Sequence, residues 1–402
     1  MVRRRVARWA CCGVLATAIV VFQGVPRLAQ SEDQPAARPA EAKSGSSLMG
    51  SQGGTRQTER AVAAALNWLA RHQSPDGSWS LQEFSKQCKG APCTGPGSFS
   101  SDAAGTALGL LPFLGAGQTH ETKGPYRKNV YDGLYILMRN QKRWGDLSGA
   151  DKPENAKMYA HGLATIALCE AYGATQSKVI GKSAQAAVNF IQSAQHPGTG
   201  GWRYTPGQEG DTSVLGWQLT ALESAKLAGL QVSPRALDGA RRWLKSVAKG
   251  EKGGQFAYTP DAAASTPMTA VGTFCSLLLG SKRDDPAIAE GTKVLMANLP
   301  SLKPRNAYYV YYGTHAMHCI LDPAWDQWNR QLRRVLCESQ IKEGCAAGSW
   351  DPDKPEKDAW GESGGRLYTT SLSALALQCY YRYLLIDKLD LPKKEAPKND
   401  AK

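Results

Sequence analysis

The chain has 402 residues, 42% of them hydrophobic and 21% charged, with a formal net charge of +13. These are the values of a soluble globular protein long enough to bury a substantial core. Five arginines within residues 1–30, with no acidic residue among them, leave about +8 for the remainder. No clustered basic helix or basic patch interleaved with aromatics accompanies that charge, so nucleic acid is excluded as a partner; the moderately basic surface suits anionic glycans, lipid headgroups or acidic partners.

Residues 1–30 place Arg3, Arg4, Arg5 and Arg8 before an apolar run, the order of an export signal peptide or an uncleaved signal anchor. The expected location is therefore outside the cytoplasm, either periplasmic or anchored in the membrane and facing the periplasm. A small-x-small cleavage pattern occurs only at Ala40-Glu41-Ala42, well past the apolar run. Residues 31–57, rich in Pro, Ala, Ser and Gly, read as a disordered linker, and residues 387–402 as a disordered tail.

Between them, over residues 58–386, one unit recurs six times. An amphipathic helix leads through a Gly-aromatic loop into a second helix of small and apolar residues. The units start at "ERAVAAALNWLARHQ", "NVYDGLYILMRNQ", "SAQAAVNFIQSAQ", "ALDGARRWLKSV", "AIAEGTKVLMANL" and "WNRQLRRVLCESQ", and their aromatic markers are Trp79, Trp144, Trp202, Phe256, Tyr308 and Trp350. The first helix of each pair carries charge on one side and the second almost none, as in "GLATIALCEAYG". One therefore faces solvent and the other is buried all round. Six such hairpins close most simply into an all-α (α/α)6 toroid.

In a ring of hairpins the inner helices run the same way, so their N-termini, with unpaired N–H groups and positive dipole ends, meet at one mouth. That convergence makes Asp102, Met158, Tyr159, His161, Asp211, Met268, Thr269, Tyr311, Tyr312, His315, Arg366, Tyr368 and Thr369 candidates for a shared pocket. The ligand-binding set is Tyr159, His161, Asp211, Tyr311, Tyr312, His315, Arg366 and Tyr368. Asp211, Asp102 and His161 are the catalytic candidates, as Asp102 with Asp211 or as His161 with Tyr159; Asp211 has a structural alternative as N-cap of the third inner helix, accepting from Ser213 or Val214, and His161 as a satisfied core residue. Arg366 has Asp358 or Glu362 as a salt-bridge alternative. Four of the ten cysteines form the loop pairs Cys88/Cys93 and Cys337/Cys345, candidate disulfides in an oxidising compartment. No metal site is expected, because no short paired Cys or His spacing is convincing, and no cofactor is implied.

The stretches "ALNWLARHQSPDGSW", "GGWRY" and "GSWDP" resemble the repeats of the squalene cyclase and protein prenyltransferase group, over roughly residues 58–386. The chain is most similar to the exported bacterial prenyltransferase/squalene oxidase repeat proteins. The resemblance implies a terpenoid cyclase-like toroid, and its chemistry is tested residue by residue. The Asp-x-Asp-Asp-Thr run of the cyclases matches "QEGDT" only at Asp211-Thr212; Gly210 stands where the proton-donating middle aspartate belongs, and Gln208 at the first. The Asp-x-Cys zinc pair of the prenyltransferases does not occur, and "HAMHC", with His315 and His318 on one helical face, reads as a hydrogen-bonded inner-helix pair. The resulting expectation is a ligand-binding or accessory protein of cyclase fold, holding a small-molecule, lipid or glycan ligand. The alternative is an enzyme acting in the same cavity on an isoprenoid, a lipid or a polysaccharide. A deep aromatic cavity favours isoprenoids; an open polar groove with two carboxylates favours glycans.

Overall fold

The computed structural model describes residues 53–149, 157–321 and 323–380. The export segment, most of the linker and the tail lie outside these residues. Six helical hairpins follow one another: α1 (Arg56–Arg71) with α2 (Asp102–Gly115), α3 (Arg127–Arg139) with α4 (Lys157–Thr175), and α5 (Lys178–Ala194) with α6 (Thr212–Leu227). The second half pairs α7 (Pro234–Val247) with α8 (Thr266–Leu278), α9 (Pro286–Ala297) with α10 (Ala307–Ile320), and α11 (Pro323–Ser339) with α12 (Gly361–Leu377). Each even-numbered helix packs on the next, and α12 closes on α2, which makes the expected (α/α)6 toroid. Among the described residues no helix is long and apolar enough to cross a membrane.

The two helix types behave as their sequences require. Outer helix α7 buries one stripe, Ala236, Gly239, Ala240, Trp243, Leu244 and Val247, and leaves its arginines in solvent. Inner helix α6 is buried continuously from Thr212 to Ala225, so its small and apolar residues meet neighbours on all sides.

Where Gln, Gly and Trp recur, they form one hydrogen-bonded joint. At the end of α5, Gln195 Nε2 donates to Gly200 O in its own loop (2.8 Å) and to Ala236 O at the start of the next outer helix (2.9 Å). Gln73 does the same to Gly77 and Asn129, Gln141 to Gly145 and Ser183, and Gln340 to Gly348 and Ala61. The last of these ties the sixth hairpin to the first and closes the ring. The Trp two residues after the loop glycine donates its indole N–H back to the outer helix: Trp79 to Leu69 O, Trp202 to Ile191 O and Trp350 to Leu336 O, at 2.7–2.9 Å. Glycine is required where the loop touches the next outer helix. A Cβ on Gly200 (φ +77°) would lie 2.1 Å from Gly239 O, and one on Gly348 (φ +95°) 2.1 Å from Ala64 O. In the fourth unit a two-stranded hairpin, β1 (Ala248–Lys249) and β2 (Gln255–Phe256), replaces the glutamine, and Glu290 of α9 reaches back to the N–H groups of Glu251, Lys252 and Gly254.

Three details differ from the sequence reading. Leu147, not Trp144, fills the buried aromatic position of the second unit; Trp144 is 65% exposed, with Lys142 over its ring. Tyr308 lies inside α10 rather than in the fifth loop. The packed chain begins before residue 58: Thr55 caps α1, and Gly53 O accepts from Asn329 and Arg333 of α11.

Candidate functional site

Four inner helices are capped by one motif written with different residues. Ser101, Asp211, Ser265 and Asn306 each accept a backbone N–H three residues on, at 3.1, 2.8, 3.4 and 2.9 Å. Capping fixes where each helix starts and hence which side chains, one and two turns later, point into the ring. Together they surround a cavity of about 600 Å³, within the ordinary range of small-molecule pockets.

At its rim lie Ser101, Ser213, Ser265, Asn306 and Ser363, with the phenols of Tyr159, Tyr204, Tyr258 and Tyr368. Further along the same helices come Ala104, Leu108, Leu163, Trp217 and Met268. At 1.5 Å per residue, the seven residues from Ser101 to Leu108 correspond to about 10 Å of depth. Below Trp217 the ring centre is filled: Tyr311 stacks on Trp217 (5.2 Å between centroids), while Tyr312 meets Trp217 and Phe274 edge-on and His315 packs on Tyr311. The cavity is therefore a cup with an aromatic floor. Among the described residues that line it there is no carboxylate, imidazole, amine or guanidinium.

Four of the rim hydroxyls form two pairs, while the Tyr368 hydroxyl is buried with no hydroxyl partner among the described residues. Tyr159 and Ser213 lie 2.6 Å apart, Tyr204 and Tyr258 2.5 Å, and Tyr308 Oη donates to Ser213 O. Arg203 stacks over Tyr204 and Tyr258. Burial and the neighbouring Asp211 push the Tyr159 phenol well above its ordinary range, so it remains a protonated donor.

Of the expected ligand set, Tyr159 and Tyr368 face the cup, as does Met268. Asp211 sits behind it, 0% exposed, with Oδ1 accepting from Val214 N–H and from the Ser213 hydroxyl. Its Oδ2 lies 3.9 Å from Arg203 Nε on the side of Tyr258. Burial raises its pKa, against the pull of Ser213, Val214, Tyr258 and Arg203. Asp102 is exposed and lines a separate small cavity with Ile136, Asn140 and Leu147, so it makes no pair with Asp211 across the mouth.

His161 is turned outward, into the joint between hairpins. Its Nδ1 accepts from Leu147 N–H (3.1 Å) and its Nε2 donates to Ala187 O (3.1 Å), which uses both nitrogens of the neutral ring. Burial lowers its pKa to about 4, against the opposing influence of Asp146. His161 thus takes the place that Thr106, Thr269 and Thr370 hold in other units, each accepting the loop N–H of Trp79, Phe256 or Trp350. Tyr311, Tyr312 and His315 form the floor rather than the lining. Arg366 is likewise structural: its guanidinium donates to Thr94 O, Thr94 Oγ1, Ser349 Oγ and Asp351 Oδ2, and its salt-bridge partner is Asp351 (2.7 Å), not Asp358 or Glu362. Asp358 instead accepts from Ala307 N–H and Trp360 N–H.

Trp217, Tyr204, Tyr258, Tyr308, Ser101, Ser213 and Leu108 line the cup but were not among the pocket candidates of the sequence reading. For Leu108 and Trp217 the available signal was their position seven and six residues after the caps Ser101 and Asp211, whereas Tyr204 and Tyr258 come from the loops before the inner helices. The cysteine expectations also change. None of the eight described cysteines is in a disulfide. Cys337 is buried in α11, whereas Cys88, Cys93 and Cys345 surround His72, with one ligand-type atom from each of the four within 4.8 Å of every other. The sequence reading paired Cys88 with Cys93 but had no short spacing to connect them to Cys345, which comes from the other end of the chain.

No family model and no curated protein matches the chain. Among solved structures it is similar to the α-1,6-mannanase GH76A of Salegentibacter sp. HEL1_6, at 13% identity and a TM-score of 0.56 over 81% of this chain and 99% of that one. A novel α-amylase from Clostridium perfringens matches at 12% identity and TM-score 0.53, over 80% and 98%. The type II terpene cyclase MstE from Scytonema, in complex with geranylgeranyl dihydroxybenzoate, matches at 14% and 0.51, over 81% and 97%. Likeness at such identities carries the architecture alone: the chain is an α/α toroid of the kind shared by glycoside-acting enzymes and terpene cyclases.

Proposed function

We propose that this chain is a ligand-binding protein whose central cup takes the apolar chain of an isoprenoid- or lipid-type molecule, with the rim hydroxyls holding its polar end. The observation that carries this reading is the lining: aromatic and aliphatic walls below a ring of neutral hydroxyls, with no acid or base among the described lining residues. Cyclisation by protonation needs an acid presented to the substrate. Two buried carboxyls lie close by, and neither lines the cup: Asp211 is committed to capping α6 behind Ser213, and Asp358 to the N–H groups of Ala307 and Trp360. Glycoside cleavage needs two carboxyl groups flanking the bond. The mannanase is recorded as an inactive variant when two consecutive aspartates are replaced. Here the consecutive pair Asp284-Asp285 lies between α8 and α9, at the far end of the hairpins from the cup. A polysaccharide-directed enzyme therefore rests on fold likeness alone.

The order of residues 1–30, basic then apolar, supports an exported protein that works in the periplasm, tethered or released, as an accessory carrier or sensor of its ligand. The test is quenching of intrinsic tryptophan fluorescence by geranylgeraniol and by α-1,6-mannotriose. The first should saturate at one site and the second should have no effect. Saturable mannotriose binding without geranylgeraniol binding would overturn the reading.

A further inference from the structure

We propose that His72, Cys88, Cys93 and Cys345 form a structural zinc site that locks the first hairpin of the ring to the last. His72 is the C-cap of α1, Cys88 and Cys93 lie in the α1–α2 connection, and Cys345 lies between α11 and α12. The His72 Nε2 atom is 3.4 Å from Cys88 Sγ, 3.5 Å from Cys93 Sγ and 3.5 Å from Cys345 Sγ.

Zn–S bonds of about 2.3 Å and Zn–N bonds of about 2.0–2.1 Å at tetrahedral angles put N and S about 3.5 Å apart, so these edges are those of a Cys3His site. Hydrogen bonding alone does not account for them. The ring's other nitrogen, Nδ1, lies 2.7 Å from Trp68 O and must donate to it, which leaves Nε2 with a single lone pair facing three sulfurs. One lone pair accepts one S–H, whereas one cation accepts all four donors. The carbonyl contact is also the outer support that metal-bound histidines use to fix their tautomer and orientation.

Other groups around the cluster suit a zinc centre with three thiolates and one imidazole. Cys93 N–H donates to Cys88 Sγ at 3.2 Å, the kind of contact that stabilises a coordinated thiolate. Three thiolates, a neutral imidazole and Zn²⁺ carry a net charge of −1, and the guanidinium groups of Arg71 and Arg366 both act on His72 electrostatically. Arg71 also donates to Cys345 O and Ala347 O, and Arg366 to Thr94, so both arginines hold the loops that deliver the sulfurs. With four protein ligands and no open position the centre is structural rather than catalytic. It bridges segments 273 residues apart, and a link of that span removes much of the freedom of an open ring. The imidazole stacks on Trp68 at 4.3 Å, which seats the site on the buried face of α1.

The test is the metal content of the full chain purified without chelator, by inductively coupled plasma and native mass spectrometry. One zinc per chain is expected. Cys345→Ser should retain less than a tenth of it, Cys337→Ser should retain all of it, and the cobalt-exchanged protein should show the visible absorption of tetrahedral thiolate-bound Co(II). Should Cys345→Ser fail to fold, the wild-type stoichiometry and the cobalt spectrum still decide. Fewer than 0.1 equivalents of metal after incubation with zinc, with the thiols free, would overturn the proposal, as would a disulfide among Cys88, Cys93 and Cys345 in a native peptide map.

Discussion

Replacing Asp211 by Asn and by Ala separates a cap from a catalytic or charge-dependent role. The carboxylate accepts from Val214 N–H at 2.8 Å and Ser213 Oγ–H at 2.7 Å and is 0% exposed. Asn supplies an equivalent acceptor and ranks with Asp as an N-cap, so Asp211→Asn should change stability by less than about 0.5 kcal/mol at pH 7. Ala removes the acceptor and strands two buried donors, which places it at the upper end of the capping range, ~2 kcal/mol. An unfolding entropy of ~2.1 cal/mol/K per residue over roughly 330 ordered residues converts that to a drop in Tm of ~3 °C, measurable by circular dichroism.

The pH dependence carries a further sign. Burial raises the folded pKa above the ordinary 3.8, so the stability linked to the protonated carboxyl is present below 3.8 and is lost as pH rises through the raised value. The Asn variant has no such loss. Its stability relative to wild type should therefore improve from pH 3.5 to pH 7. Asn and Ala variants equally destabilised at pH 7 would refute the reasoning, because the negative charge itself would then be in use.

The joint chemistry makes matching predictions around the ring. Trp202→Phe leaves Ile191 O without its indole donor, and Gln340→Ala removes both bonds that close the sixth hairpin on the first; each should cost about 1–3 kcal/mol in urea denaturation. Losses below 0.5 kcal/mol for both would contradict the repeated joint. His161 titrates at about 4 in the fold against 6.5 unfolded, so the stability it confers is full above pH 6.5 and is lost as pH falls towards 4. At 1.36 kcal/mol per unit the loss is of order 3 kcal/mol, and His161→Gln should remove that part of the acid slope. An unchanged slope would mean that the imidazole is not held neutral.

The ring was legible in the sequence because its determinants are local and repeated. Gln195, Gly200 and Trp202 sit within eight residues, and their counterparts recur in the same order. Helix polarity then fixed which member of each pair is inside. The capping role of Asp211 was legible for the same reason, since an N-cap bonds within three residues. The cup was less legible. Inner helices are apolar on every face, so hydrophobicity does not say which residue points to the centre; Tyr311 and Tyr312 went to the floor and Tyr308 to the wall. His161 and Arg366 looked functional because polar groups are rare in such helices, yet both are consumed by long-range partners, Ala187 and Thr94 among them. The His72 cluster was invisible because Cys345 joins it only once the ring has closed.

The most direct test of the central claim is mass spectrometry of the organic extract of the purified full chain, beside that of a Leu163→Trp variant whose larger side chain occupies the cup. The account predicts an isoprenoid- or lipid-class molecule bound to the wild type and depleted at least tenfold from the variant, with both proteins equally folded. Equal retention by the two proteins, or a retained oligosaccharide, would contradict it.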